Sequence, residues 1–258
     1  MRSNLFREKL RRGPCAIGIY PGVVSPELVE FCGVLGFDWV FIDGEHGGVD
    51  VPTCQALIRA ADRVGIGSLV RVPSADPSVI LGYLETGAFA ITVPHINTSD
   101  QARAAVAAGR YPPNGTRGAG STTPAANYGL TRTPAEYFAW ANEQVWIIPQ
   151  IEDIEAVKNI REILAVPGVE AVVVGPGDLA ASMGLPGQPG HPDVMAAVHG
   201  AITAARSAGK HVGTVAGNPA AIRALMAKGA DFMMCSALAL LADAGRRFLR
   251  EVNAERDG

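Results

Sequence analysis

Eight short apolar runs rich in β-branched residues recur along the chain. They are CAIGIY at 15–20, WVFID at 39–43, SLVRV at 68–72, AITVP at 90–94, WIIPQI at 146–151, AVVVG at 171–175, HVGTV at 211–215 and FMMCS at 232–236. Their length and composition predict strands. Between them the apolar positions change to helical spacing, as in VSPELVEFCGVLG, DPSVILGYLETG, DIEAVKNIREILAV, PDVMAAVHGAITAARSAG and NPAAIRALMAKG. Ser25, Asp76 and Asn218 each precede a proline. A side-chain oxygen at the cap and a proline just inside it mark a helix start.

Strands alternating with helices predict a parallel sheet with crossover helices. Eight such units in a chain of this length fit a closed (β/α)8 barrel, with a doubly wound open sheet as the rival. An internal echo favours the barrel. LGFDWVFI, TGAFAITV, PGVEAVVV and KGADFMMC align at Gly36, Gly87, Gly168 and Gly229, before the second, fourth, sixth and eighth strands. Each glycine is placed to end a helix in the left-handed region.

The stretch at 111–137, YPPNGTRGAGSTTPAANYGLTRTPAEY, breaks the alternation. Loops of that length are uncommon in a compact domain and are often functional. A lid or an inter-subunit arm is expected, against a plain disordered insertion. The N-terminal MRSNLFREKLRRG reads as an amphipathic helix, because it lacks the apolar core of a signal peptide.

Of 258 residues, 48% are hydrophobic and 18% charged, which suits a single large barrel with a sizeable core. A net charge of −3 gives no basic footprint for nucleic acid. No apolar run approaches the roughly 18 residues that span a bilayer. Cys15, Cys32, Cys54 and Cys235 are scattered, without a C-x-x-C pair, and are expected as free thiols of a cytoplasmic protein.

In parallel α/β folds the chemistry collects at the carboxyl ends of the strands. Strand two ends in Asp43, Glu45 and His46, strand three in Arg71, strand four near His95 and strand five in Gln150 and Glu152. Strand six runs into Gly175, Pro176, Gly177 and Asp178, and strand eight reaches Ser236. Taken singly, each has a structural reading. Asp178 can cap a helix, Glu152 and Asp153 can complement a helix dipole, Arg71 can sit in an ion pair, and His95 can be structural. Those readings do not explain why two acids, an arginine, a glutamine and a histidine should meet at one mouth.

Together they have a chemical logic. Glu152 and Asp178 can hold a hard divalent cation such as Mg²⁺ or Mn²⁺, with Co²⁺ a further option, and leave positions for water and a chelating 2-oxo acid. The metal then acidifies the adjacent C–H. The glycines around Asp178 let backbone N–H groups face the substrate carboxylate. Arg71 stabilises the enolate oxygen, and His46 moves the proton with Asp43 orienting its ring or tuning its pKa. The four lysines, Lys9, Lys158, Lys210 and Lys228, all lie away from the predicted carboxyl ends, which disfavours a Schiff-base aldolase. No phosphate loop or full dinucleotide fingerprint is present.

At GFDWVFIDGEHG, LVRVP, LETGAFAITVPHI, RYPPNGTRGAG, PQIED and VEAVVVGPGDLAASMG the chain resembles the HpcH/HpaI aldolases. These are metal-dependent class II pyruvate aldolases, including 4-hydroxy-2-oxoheptanedioate and 2-dehydro-3-deoxyglucarate aldolases. The resemblance covers most of the chain. It implies a (β/α)8 barrel of the phosphoenolpyruvate/pyruvate type. It also implies Glu152 and Asp178 as metal ligands, His46 with Asp43 as the proton-transfer pair, and Arg71 as enolate stabiliser. Gln150 and the loop from Gly175 to Asp178 would surround the 2-oxo acid. Family members commonly form hexamers built from dimers that exchange C-terminal helices, here residues 237–254.

Two departures stand out. The family usually has Asp where this chain has Glu85, and many members place an Asp after strand eight where this chain reads SALALL. The expected activity is cleavage of a 4-hydroxy-2-oxo acid to pyruvate and an aldehyde through a metal-stabilised pyruvate enolate. The alternatives are a β-hydroxyacyl-CoA lyase, an oxaloacetate decarboxylase, and a non-catalytic 2-oxo acid binding protein.

Overall fold

The computed structural model describes residues 3–254. Eight parallel strands close into one barrel in sequence order. They are β1 (Ala16–Tyr20), β2 (Trp39–Asp43), β3 (Gly67–Arg71), β4 (Ala90–Val93), β5 (Trp146–Ile151), β6 (Ala171–Val174), β7 (His211–Val215) and β8 (Phe232–Ser236). The open-sheet alternative is thereby excluded, because β1 pairs with β8 from Ala16↔Phe232 to Tyr20↔Ser236. The predicted strands were right to within one residue at each end.

The helices are α1 (Leu5–Leu10), α2 (Pro26–Leu35), α3 (Val51–Arg63), α4 (Pro77–Glu85), α5 (Ser99–Ala108), α6 (Pro134–Gln144), α7 (Ile154–Lys158), α8 (Ile160–Leu164), α9 (Pro176–Ser182), α10 (Pro192–Ser207), α11 (Pro219–Ala227) and α12 (Ala237–Ala254). The predicted caps form: Ser25 Oγ accepts the Leu28 N–H at 3.1 Å, Asp76 Oδ1 that of Ser78 at 2.7 Å, and Asn218 Oδ1 that of Ala221 at 2.9 Å. The four echo glycines all take left-handed backbones, with φ of 103°, 101°, 92° and 105°. One expectation needs correction. The helix foreseen in DIEAVKNIREILAV is two short ones, because Asn159 takes a non-helical φ/ψ of −91° and 6° while its Nδ2 donates to the Asn97 carbonyl at 2.8 Å.

Side-chain alternation sorts the strands into two layers. Ala16, Trp39, Phe41, Leu69, Trp146, Ile148, Val173 and Phe232 fill the barrel interior. Their neighbours Ile17, Val40, Ile42, Val70, Ile147 and Val172 pack outward into the layer shared with the helices. Large and small residues interlock inside: a Cβ on Gly18 would stand 2.1 Å from the Trp39 indole, so only glycine fits there. The amphipathic N-terminal helix is α1, and it stoppers the amino-terminal end of the barrel. Phe6 meets Trp39 and Phe232 edge-on, at centroid distances of 5.3 and 5.2 Å.

The 111–137 segment runs from α5 towards β5, so it leaves and rejoins the barrel at the amino-terminal end. Both of its ends therefore lie away from the mouth of its own barrel. It packs as a satellite core of Tyr111, Ala125, Ala126, Tyr137 and Ala141. Arg117 pairs with Glu85 at 2.9 Å and lies over the Tyr111 ring at 4.5 Å. Glu85 thus ends α4 at the end of the barrel opposite the mouth.

Candidate active site

Because inward positions recur every second residue, the run Trp39, Phe41, Asp43 continues the filled interior up to a carboxylate. The run Leu69, Arg71 ends likewise in a guanidinium, and Ile148, Gln150, Glu152 in an amide and an acid. Asp43 and Arg71 are register partners on adjacent strands. Arg71 Nε donates to Asp43 Oδ1 at 2.9 Å and Nη2 to Oδ2 at 2.7 Å, a two-point contact. Its guanidinium carbon lies 5.6 Å from the Phe41 ring centroid.

Asp43 is 3% exposed. Burial pushes its carboxyl up, but the hydrogen bonds and charge of Arg71, with the His46 and Glu45 N–H groups, outweigh burial and hold it below its ordinary value. Burial likewise works against the Arg71 charge, and the hydrogen bond and charge of Asp43, then Glu45 and Glu152, more than offset it, so Arg71 stays firmly protonated.

The proton-transfer pair is not built as expected. Asp43 Oδ1 accepts the backbone N–H groups of Glu45 at 3.1 Å and His46 at 3.2 Å; it orders the turn and does not touch the imidazole. The His46 side chain is 65% exposed, and its Nε2 faces Glu45 Oε2 at 3.8 Å. Glu45, to which the sequence assigned no task, is central. Its Oε2 lies 3.0 Å from Arg71 Nη1 and its Oε1 3.3 Å from His95 Nε2.

Glu152 is buried, at 3% exposure. Both of its oxygens are engaged: Oε1 accepts the His95 N–H at 2.8 Å and Oε2 accepts the Gln150 amide. Burial pushes its carboxyl up, and the Asp178 charge adds to that, against the lowering by His95 and Gln150. His95 holds a left-handed backbone, φ 58°, just past the end of β4, and its contacts with Glu152 and Glu45 place it among these groups.

Asp178 is exposed in the first turn of α9, whose N-cap is Gly175; it is not the helix cap. Asp153, by contrast, does cap α7, accepting the Glu155 N–H at 2.7 Å. Ser236 caps α12 by accepting the Ala239 N–H at 3.3 Å. A Cβ on Gly175 would stand 3.2 Å from Glu152 Cβ, so glycine is what lets the α9 turn close on Glu152.

Arg71, Gln150 and Gly175–Asp178 line a cleft of about 350 Å³ whose other walls are Phe41, Val173, Val174, Pro189, Val215 and Met234. Glu152 and Asp178 offer hard oxygen donors on neighbouring loops, and Glu152 is a buried carboxylate that a divalent cation would neutralise. Among the described residues no group of three or more His, Cys, Asp or Glu side chains is placed to hold a metal ion, so the chain offers at most two such ligands here. A cation here would keep positions open for water or substrate. Lys210, beside Glu170 at 3.5 Å, stands before β7 at the far end of the barrel, and none of the residues lining the cleft is a lysine that could form a Schiff base.

A (β/α)8 barrel with acids, an arginine and imidazoles gathered at the carboxyl ends of its strands has its polar groups where enzymes of this fold carry their active sites. The profile of the HpcH/HpaI aldolase/citrate lyase family matches residues 16–238, and the chain belongs to that family. It is 36% identical over 246 residues to the hydroxypyruvate/pyruvate aldolase of Cupriavidus necator, covering 95% of this chain and 91% of that one. It is 39% identical over 230 residues to the 4-hydroxy-2-oxo-heptane-1,7-dioate aldolase of Salmonella typhimurium, covering 89% and 87%. A solved family protein from Burkholderia cenocepacia superposes with a TM-score of 0.91 at 35% identity, over 97% of this chain and all of that one.

Proposed function

We propose that this pyruvate-type aldolase cleaves and forms 4-hydroxy-2-oxo acids with a divalent cation, Mg²⁺ or Mn²⁺, held by Glu152 and Asp178. The observation that carries the reading is Glu152. It is a buried carboxylate whose ionised form burial disfavours, held by two hydrogen bonds beside a second, exposed acid. When bound, the cation would polarise the 2-oxo acid and acidify its neighbouring C–H.

The chain's own groups do the rest. Arg71, clamped by Asp43 and Glu45, presents a fixed positive charge to the oxygen that gains charge as the carbon–carbon bond breaks. His46, exposed at the rim, moves the proton. Asp43 acts through Arg71 and through the turn that carries His46, not through the imidazole. Gln150 fixes Glu152, and Val173, Val215 and Met234 form an apolar wall for the reacting carbon chain.

The test is methyl-proton exchange. Protein, Mn²⁺ and pyruvate are mixed in deuterium oxide and the methyl signal is followed by NMR. We expect metal-dependent exchange that chelator stops. Exchange at the uncatalysed rate would refute the reading.

The chain is further proposed to act as a homo-oligomer, a hexamer built from dimers. Phe31, Val34 and Leu35 of α2 and Leu241, Phe248 and Leu249 of α12 are all more than half exposed, which is costly unless another copy covers them. Tyr128 and Leu130 expose a second apolar spot on the 111–137 segment, which supports an inter-subunit arm. Among the described residues no helix is long and apolar enough to cross a membrane. Free Cys15, Cys32, Cys54 and Cys235 suit the reducing cytoplasm.

A further inference from the structure

One imidazole at the mouth has no task in that reading. His95 holds a left-handed backbone, a conformation that suits glycine and is uncommon for a residue with a Cβ. The turn aims the His95 N–H at Glu152 Oε1, 2.8 Å away. Glycine would deliver the same N–H at no steric cost, so the turn alone does not account for a histidine.

The ring does. Nδ1 stands 3.2 Å from Glu152 Oε1, and Nε2 stands 3.3 Å from Glu45 Oε1; the ring is 71% exposed, and it holds both acids together only in the form that carries a proton on each nitrogen. Glu45 reaches on to Arg71 Nη1 at 3.0 Å. One side chain thus spans the two halves of the cleft: the Arg71 half, where charge is stabilised, and the Glu152 half, where the cation would sit. Without the ring, Glu152 keeps its backbone N–H and the Gln150 amide, but Glu45 loses its tether on the Glu152 side.

We propose that His95 is a positioning residue whose imidazole ties Glu45 to Glu152 and so fixes Arg71 relative to the cation-holding carboxylate. Groups that hydrogen-bond a ligand carboxylate set its orientation, and their loss typically weakens metal affinity or activity by about 10–100-fold. The inference rests on the function proposed above, and two variants keep the two separable.

His95→Gly retains the left-handed turn and its N–H and removes only the ring. His95→Asn tolerates the same backbone and reaches Glu152 but is too short to reach Glu45 as well. Affinity for Mn²⁺ alone, read from the electron paramagnetic resonance of the free ion, needs no catalysis. In His95→Gly it should weaken by about tenfold, with an undiminished Tm and a lower kcat for pyruvate exchange. His95→Asn should regain the affinity but not kcat, because only the Glu152 contact returns.

Wild-type affinity and kcat in His95→Gly would overturn the proposal. So would a lowered Tm, which would assign the ring to the fold. So would full recovery of kcat in His95→Asn. If the wild type binds Mn²⁺ but exchanges no proton, the functional reading fails, while the affinity change in His95→Gly still decides whether the ring orders Glu152.

Discussion

Asp43 and Arg71 face each other across β2 and β3 through two hydrogen bonds, at 2.9 and 2.7 Å, with the carboxylate almost wholly out of solvent. A lysine cannot reproduce that two-point geometry. Arg71→Lys should lower kcat by about 10²–10³-fold, as loss of a donor at a developing charge does elsewhere. Arg71→Ala should in addition destabilise the fold by about 3–5 kcal/mol, because it strands a buried charge. Exchange kinetics and urea unfolding separate the two effects.

The same pair sets a response to acid. The folded pKa of Asp43 is lowered, so its contribution is fully present above the unfolded value of about 3.9 and is lost as pH falls through the folded value. The urea midpoint should drop as pH falls below about 4, and Asp43→Asn should flatten that part of the curve. An equal slope in the variant would show that other carboxylates govern it.

Cation binding should be visible as stability. At a hundred times its Kd, Mn²⁺ should add about 2.7 kcal/mol, which for a chain of this size raises Tm by about 5–10 °C. Chelator should remove the increment. Asp178→Asn should fold normally, since the side chain is exposed and caps nothing, and should show no increment. Calorimetry with and without metal is the check.

The α2 and α12 surfaces should separate oligomer from monomer. Leu241 is 69% and Phe248 64% exposed in the single chain. Leu241→Glu with Phe248→Glu should leave the barrel intact and lower the mass seen by light scattering to that of one chain. An unchanged mass would place the contact elsewhere.

The barrel was legible because two periodicities alternate cleanly and because Ser25, Asp76 and Asn218 announce helix starts. Asp43, Arg71, Gln150 and Glu152 were legible for a related reason: strand parity alone points them inward above Phe41, Leu69 and Ile148. Glu45 and His95 lie past the strand ends, where parity stops and loop dihedrals decide. Their contacts depend on a turn ordered by Asp43 and on a φ of 58°, neither of which a residue pattern encodes. The same limit explains the misplaced partner of His46, since adjacency in FIDGEHGG suggested a ring contact where the backbone N–H is used instead. Where 111–137 sits is likewise decided by connectivity and not by residue pattern, because a loop between α5 and β5 starts at the end of the barrel away from the mouth.

The barrel closes by pairing its first strand with its last, and Cys235 Sγ reaches the Gly18 carbonyl across 217 residues of chain. Until β8 has been synthesised, β1 presents a bare row of hydrogen-bonding groups, and every later strand does so in turn. Such edges are templates for mispairing, and contacts this distant in sequence form late. The seam that makes the finished molecule edgeless therefore also leaves the growing chain with an open edge until its last strand arrives.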